Sequence, residues 1–171
     1  DGGIEQIVVT RDIVELEETY AKSSIINDES SKYGLINLPR FYVDFDDYGE
    51  RNAATDLKKE ILNLKSKGIN GLILDLRNNG GGSLQEAIDL TGLFIETGPV
   101  VQIKSSSGRI EIEKDFDKRI HYDGPLLVLN NSFTASSSEI FSGALKDYNR
   151  GLIVGESTFG KGTVQNLLDL D

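Results

Sequence analysis

Cysteine, tryptophan and methionine are missing from the 171-residue chain, and histidine occurs once, at His121. Without cysteine the chain can form neither disulfides nor thiolate metal sites, and a cysteine nucleophile is excluded. A Ser-His catalytic pair would have to use His121. This residue falls in a polar stretch that is typical of an exposed loop, so the sequence strongly disfavours a Ser-His mechanism.

Long apolar runs and dense basic clusters are missing as well. No stretch approaches the ~18 consecutive apolar residues of a membrane-spanning helix. The formal net charge is -10, and an acidic surface repels phosphate backbones and anionic lipid. We therefore expect neither a nucleic-acid partner nor a membrane-surface partner.

Strand-like and helix-like segments alternate from residue 33 onward, which indicates an α/β layered domain with parallel strand pairings. The clearest helix runs from Arg51 to Lys67, and the apolar run 71–76 is typical of a strand buried on both faces. The pattern also predicts helices over 84–95 and 136–148, a polar hairpin loop over 23–32, and strands over 7–10, 13–20, 33–38, 41–45, 100–103, 110–113, 126–129, 152–154 and 163–168.

The length favours one domain, 1–171, in which residues 1–32 form a β-rich opening segment. The chain stops inside strand-like sequence, at 167–171. We therefore expect it to be a fragment of a longer protein.

A hydroxyl-rich segment, 131–140, follows the predicted strand 126–129. This arrangement would put Ser136 at a helix N-terminus, where free N–H groups and the helix dipole stabilise developing negative charge. The same residues fit a capping box, in which Ser136 caps the helix and Glu139 reaches back to it. Taken alone, the segment favours the capping role.

A glycine-flanked lysine, Lys161, follows the predicted strand 152–154. Residues 155–163 nearly match the phosphate-binding loop G-x-x-x-x-G-K-[ST], with Gly162 in place of the hydroxyl that binds magnesium. The missing hydroxyl removes a metal ligand, and the β-branched residues at 163–164 are a poor start for the required helix. A nucleotide-binding loop and a plain turn with a surface lysine both stay open as alternatives.

Three consecutive glycines, Gly80 to Gly82, precede the predicted helix 84–95. Glycine permits positive φ and close approach of backbone N–H groups to an oxyanion, although a flexible strand-to-helix turn explains such a run equally well. A hydroxyl at a helix N-terminus, a lysine in a tight turn and a loop of N–H donors are together the parts of a Ser-Lys acyl-transfer site.

At these residues the sequence resembles the C-terminal processing peptidases, also called tail-specific proteases. The matching blocks are Leu74-Asp75-Leu76-Arg77-Asn78-Asn79-Gly80-Gly81-Gly82, Thr134-Ala135-Ser136-Ser137-Ser138-Glu139-Ile140, Lys146-Asp147-Tyr148-Asn149-Arg150 and Thr158-Phe159-Gly160-Lys161-Gly162-Thr163-Val164-Gln165. With Thr10-Arg11-Asp12 and the block 38–45, the likeness covers nearly the whole chain.

The resemblance implies a role for each matching residue. Ser136 would be the nucleophile and Lys161 its general base, and Gln165 would orient the lysine. Oxyanion-hole N–H groups would come from Ser137 and from the glycine loop, where we expect the donor to be Gly81.

The resemblance also implies a crotonase/Clp-protease type of α/β core, and Asp147 matches an acidic position implicated in some members. Members usually carry a PDZ domain that recognises substrate tails, and it would end about where this chain starts. We expect that domain and the family's last strands to lie outside this fragment. The fragment by itself is therefore expected to be inactive.

A lysine general base places a condition on the site. A free lysine has a pKa of about 10.4, so only about one molecule in 2,500 is neutral at pH 7. Only burial or nearby positive charge can favour the neutral amine. We therefore expect Lys161 to be buried in the assembled protein.

The resulting hypothesis is a serine endopeptidase that cleaves proteins near apolar C-terminal tails through an acyl-enzyme. It needs no cofactor, metal or nucleotide. The resemblance further implies a bacterial cell-envelope location, expected to be periplasmic, and a PDZ domain or adaptor outside this chain. The competing hypotheses are a P-loop-like nucleotide-binding domain and an inactive scaffold of the same fold.

Overall fold

The computed structural model describes residues 19–43 and 51–165, which contain seven strands and three helices. In chain order these are β1 (Lys22–Asp28), β2 (Ser31–Asn37), α1 (Ala53–Ser66), β3 (Gly71–Asp75), α2 (Leu84–Gly92), β4 (Gly98–Lys104), β5 (Ile110–Asp115), β6 (Leu126–Asn130), α3 (Ser137–Asp147) and β7 (Leu152–Gly155). The predicted α/β class is confirmed.

Five strands form one sheet in the order β1-β2-β3-β6-β7, and β4 and β5 form a separate antiparallel hairpin. Within the larger sheet β1 and β2 are antiparallel, whereas β2, β3, β6 and β7 pair in parallel. Parallel neighbours end at the same edge of a sheet, so the loops after β3 and β6 lie side by side. This edge brings the glycine loop to the start of α3.

The hydrophobic core lies on one face of this sheet. Ile36, Leu74 and Val128 occupy one row across β2, β3 and β6, and each is 0% exposed. They belong to a cluster that includes buried residues of all three helices. On the opposite face Ile73 and Leu127 are only half-buried. The three helices therefore pack on one face of the sheet and support, from that face, the edge where the loops after β3 and β6 lie.

Helix α1 begins at a clear capping signal. The Asn52 side chain accepts the Thr55 N–H at 2.8 Å, and the Glu86 carboxylate of α2 accepts the Ala54 N–H at 2.8 Å. Burial raises the pKa of Glu86 to about 7, although its backbone hydrogen bonds act in the opposite direction. The predicted apolar spacing is confirmed because Leu57 is fully buried on the core face, as are Ile61 and Leu64.

Two predicted elements are wrong. Residues 23–32 are not a loop: β1 and β2 form a tight hairpin whose turn is limited to 29–30, because cross-strand pairing outweighs the polar composition. Residues 41–43 form only isolated bridges, from Phe41 to Gly82 and from Val43 to Asn52. The strand predicted over 7–10 lies outside the described residues, as do residues 13–18 of the strand predicted over 13–20 and residues 44–45 and 166–168 of two others. Residues 19–20 and 163–165 are described and are not in a strand.

None of the helices within residues 19–43 and 51–165 is both long enough and apolar enough to cross a bilayer.

Candidate active site

Ser136 stands immediately before α3 in a strained backbone conformation. Its φ is 59° and its ψ is -120°, a combination that non-glycine residues rarely adopt. The Glu139 N–H bonds to the backbone oxygen of Ser136 at 2.8 Å, so the first turn does not need the hydroxyl as its cap. The predicted capping box is present: the Ser136 side chain faces the Glu139 N–H, and the Glu139 carboxylate accepts the Ser136 N–H at 2.7 Å. The Ser136 hydroxyl makes no direct capping hydrogen bond, so it can donate its proton to another group.

Glu139 connects the serine loop to the lysine turn. Its carboxylate accepts the backbone N–H groups of Ser136 at 2.7 Å, Gly160 at 2.6 Å and Lys161 at 2.9 Å. Burial alone would raise the pKa of Glu139, but a hydrogen bond from Thr158 and these three N–H groups together lower it. One ionised side chain therefore holds the two predicted catalytic residues together.

Replacing Glu139 by alanine should lower activity far more than stability. The three N–H groups that lose the Glu139 carboxylate are partly exposed and can bind water instead. We therefore expect the free energy of unfolding to fall by about 1 kcal/mol. Displacing the serine loop and the lysine turn should lower kcat/KM by about 10²-fold. The measurement is peptide cleavage by the full-length protein beside denaturant unfolding, with Glu156→Gln as control because the Glu156 side chain accepts one long bond, 3.4 Å, from the same loop.

The pH dependence of Glu139→Gln follows from the lowered pKa. The ionised carboxylate stabilises the folded state above the usual glutamate pKa of about 4.3, and this contribution is lost as the pH falls through the lowered pKa. The difference in the free energy of unfolding between wild type and Glu139→Gln should have its full size at pH 7 and should shrink below about pH 4. A difference that grows in acid would contradict this assignment.

The glycine loop after β3 packs directly against the serine. A Cβ added to Gly81 would lie 2.8 Å from the Ala135 carbonyl oxygen, 2.8 Å from the Ser136 Cβ and 2.9 Å from the Ser137 nitrogen, and the φ of Gly81 is +97°. Only glycine permits this approach. The N–H of Gly81 is donated to the Asn79 side chain at 2.9 Å, whereas the Ser137 N–H has no hydrogen-bond acceptor among the described residues.

Asn79 holds three segments together, a role that the sequence analysis missed. Besides accepting from Gly81, its side chain donates to the Leu38 carbonyl at 2.7 Å. Its backbone oxygen accepts the Ala135 N–H at 3.0 Å and the Ser138 hydroxyl at 3.1 Å. Asn79 is 0% exposed, and a buried amide whose oxygen and nitrogen both have hydrogen-bond partners fixes its neighbours in one arrangement. Its contacts lie about 40 to 60 residues away along the chain, so no local pattern reveals them.

These segments enclose a cavity of about 450 Å³. Its lining comes from the segment after β2, the glycine loop, the start of α3 and the lysine turn: Pro39, Arg40, Asn78, Gly80, Gly81, Gly82, Ser136 and Lys161. The structure thus brings the predicted nucleophile, base and glycine loop to one site. Lys161 itself is exposed, so the described residues do not provide the burial expected of a lysine base.

The remaining predicted residues lie at different places. Ser137 is buried beside the glycine loop, with its hydroxyl donating to the Gly82 carbonyl at 3.0 Å. Gln165 is exposed and does not line the cavity. Asp147 is exposed at the far end of α3, about 16 Å along the axis from Ser136, and lies away from the site. His121 is half-buried rather than exposed and lines a different cavity.

The nucleotide-binding alternative is not favoured by the lysine turn. β7 ends at Gly155, and residues 156–165 contain no helix. A phosphate-binding loop depends on the N–H groups and dipole of a helix that starts at its lysine. The turn around Lys161 lacks that helix, and its N–H groups are directed to the Glu139 carboxylate.

Comparison with known proteins agrees with this geometry. Residues 32–171 match peptidase family S41. The tail-specific protease of Haemophilus influenzae is 41% identical over 171 residues, which are 99% of this chain and 24% of that protein. The carboxyl-terminal-processing protease of Picosynechococcus sp. is 38% identical over 167 residues, covering 98% of this chain and 38% of that protein.

A solved structure supports the same relationship. The photosystem II D1 C-terminal processing protease superposes with a TM-score of 0.74 at 32% identity, over 88% of this chain and 39% of that one. The chain therefore belongs to peptidase family S41. It spans 24% and 38% of the length of the two curated relatives above.

Proposed function

We propose that the protein carrying this chain is a serine endopeptidase that cuts other proteins near their C-terminal ends. Ser136 is its nucleophile and Lys161 its general base. The observation that carries the proposal is the position of Ser136, a half-buried residue with strained backbone that lines the same cavity as Lys161. A strained conformation persists only where surrounding contacts enforce it, and such residues cluster at active sites.

The proposed reaction has two halves. Lys161 takes the Ser136 proton as the hydroxyl oxygen attacks a peptide carbonyl, and the amine that leaves receives that proton as the acyl-enzyme forms. Water then hydrolyses the ester, with Lys161 again as base. Gln165 stays in the proposal as the group that orients the lysine, because a neutral amide can accept its N–H without holding it charged; this role rests on the family resemblance.

The oxyanion of each tetrahedral intermediate is proposed to bind at the N-terminus of α3. Ser137 supports this assignment because its N–H has no acceptor among the described residues and lies at the positive end of the helix dipole. The Gly81 N–H is donated to the Asn79 side chain. To bind the oxyanion, Gly81 must first give up this bond. The loop is therefore proposed to change partners when substrate binds.

A bound peptide is proposed to supply the burial that Lys161 lacks. Covering the cavity removes water from the amine, which disfavours the ammonium form. Catalysis would then be confined to the complex in which the substrate is seated.

Apolar tails are the proposed substrates. Phe133 and Phe159 are each 68% exposed on the two segments that carry Ser136 and Lys161, where apolar side chains of a longer substrate could pack on them. The names of the relatives, tail-specific and carboxyl-terminal-processing protease, support the C-terminal tail as the cleaved region. A bacterial envelope location, expected to be periplasmic, and a tail-binding PDZ domain or adaptor complete the proposal, and they rest on the resemblance.

The test compares the full-length protein with its Ser136→Ala variant on a reporter protein that ends in an apolar tail. Mass spectrometry should show products truncated near the C-terminus with wild type and none with the variant, while the melting temperature stays unchanged. Equal product from the two proteins would overturn the assignment. Wild-type protein without any product would instead favour the inactive scaffold.

A further inference from the structure

The side chains that line the cavity around Ser136 are cationic although the chain is acidic. The eight lining residues include two cations, Arg40 and Lys161, and no carboxylate, whereas the whole chain has a formal net charge of -10. The Glu139 carboxylate lies behind this lining, where the backbone N–H groups of the serine loop and the lysine turn bind it. A positive site on a negative surface attracts an anionic group to one place. A lysine that acts as a general base must be uncharged. Arg40 is then the cation of the lining that remains to bind an anionic group.

The backbone that carries Arg40 is fixed on both sides. The Leu38 N–H donates to the Asp75 carbonyl at 3.1 Å, and the Leu38 carbonyl accepts from Asn79 at 2.7 Å. The Phe41 N–H donates to the Gly81 carbonyl at 3.0 Å. Pro39 adds a fixed φ. Arg40 therefore projects from a rigid rim that is tied to the same glycine loop that contacts the nucleophile.

The Arg40 side chain is exposed and has no ion pair or hydrogen bond with residues of the described ranges. Other arginines are engaged: Arg77 pairs with Asp75 at 2.7 Å, and Arg150 bonds to the Tyr122 carbonyl at 2.6 Å. A guanidinium presents a planar fork of donors that matches a carboxylate. Arg40 therefore has a guanidinium that is available to bind a carboxylate in the cavity.

We propose that Arg40 binds a carboxylate of the peptide seated in the Ser136 cavity and so selects substrates with a negative charge close to the scissile bond. This inference rests on the proposed peptidase function and deepens it. The carboxylate has two possible sources, the α-carboxylate at the end of a tail or the side chain of an aspartate or glutamate. Both present the same two oxygens to the guanidinium.

The experiment uses the full-length protein and matched peptides that differ in one charge. One pair carries a free C-terminal carboxylate or a C-terminal amide, and a second set carries glutamate or glutamine at successive positions around the cleaved bond. Wild type should prefer the charged member by about 10- to 100-fold in kcat/KM, mostly through KM, as expected for a charged hydrogen bond. The pair that shows the preference identifies the source.

The variants are Arg40→Gln, which removes the charge, and Arg40→Lys, which keeps the charge but not the fork. The preference should fall to near unity in Arg40→Gln and to an intermediate value in Arg40→Lys, because cleavage of the charged peptide loses more than cleavage of the uncharged one. Arg109→Gln is the control, because it removes one positive charge from the exposed β4–β5 hairpin, where Arg109 pairs with Glu111. It should leave the preference intact.

Two outcomes would overturn the proposal. An unchanged preference in Arg40→Gln would show that a group other than Arg40 binds the carboxylate of the peptide. Equal loss of rate on charged and uncharged peptides, with a shifted pH profile of kcat, would show that Arg40 acts on Lys161 rather than on substrate. Fluorescence anisotropy can measure the binding of the same peptides to Ser136→Ala proteins with and without the Arg40 substitution, so the comparison does not depend on catalysis. A binding preference without cleavage by the wild type would contradict the peptidase assignment but not the role of Arg40.

Discussion

Replacing Lys161 by arginine should abolish tail cleavage as completely as replacing Ser136 by alanine. A lysine that only neutralised a carboxylate or bound a phosphate would tolerate another cation in part. A general base cannot, because a guanidinium stays protonated at any working pH and offers no lone pair. General-base catalysis typically contributes 10²- to 10⁴-fold, and loss of the nucleophile's activation should place the variant at the upper end.

The measurement is the rate of tail cleavage by Lys161→Arg and Lys161→Ala between pH 6 and pH 10. The turn should accept the arginine because Lys161 is exposed, and no atom of residues 19–43 or 51–165 lies within 4 Å of a Cβ added at Gly160 or Gly162. Thermal melting checks that the variants fold. Retention of more than about a tenth of wild-type activity by the arginine variant would show that Lys161 acts as a charge, since a base contributes at least 10²-fold.

Replacing Gly81 by alanine should lower kcat/KM by about 10²- to 10³-fold, the loss expected when an oxyanion donor or the nucleophile is displaced. The new methyl group would lie 2.8 Å from both the Ala135 oxygen and the Ser136 Cβ. Because both neighbours belong to the strained loop before α3, relief of the overlap must move the nucleophile. The positive φ of Gly81, +97°, adds backbone strain of about 1–3 kcal/mol.

Gly80→Ala is the matched control, since no atom in the part of the chain that the structure describes lies within 4 Å of its added Cβ. It should leave kcat/KM within a few-fold of wild type. Gly82→Ala is less informative, because its Cβ would overlap the Phe41 carbonyl and disrupt the fold. Equal rates for Gly80→Ala and Gly81→Ala in folded proteins would contradict the close packing of the loop against Ser136.

Much of the fold could be predicted because it follows from local patterns. The α1 residues Leu57, Ile61 and Leu64 recur at helical spacing and are all buried, and the continuous apolar run at β3 is the central strand. Most of β2 is predicted as the strand 33–38, but β1 could not be predicted in this way. β1 is polar and mostly exposed, and its pairing with β2 along seven residues outweighs what composition suggests.

The candidate site divides in a similar way. Each of the segments of Ser136 and Lys161 has a structural explanation when taken alone, so the two residues are indicated by the combination of segments and by the family resemblance. The role of Glu139 is only half visible in the sequence: its bond to Ser136 spans three residues, but its bonds to Gly160 and Lys161 span 21 and 22. Sequence spacing predicts the capping box, which is present, but not that the same carboxylate also joins two loops.

The sequence by itself determined the α/β class, the family and the chemical types gathered at the site, because periodicity and short motifs are properties of neighbouring residues. Only the tertiary structure decided that Asn79 joins three segments, that Arg40 shares a cavity with Ser136, and that Asp147 lies away from it. The physical reason is that parallel strands bring the ends of distant segments to one edge of a sheet. Which backbone and side-chain groups meet there depends on contacts that no local pattern encodes.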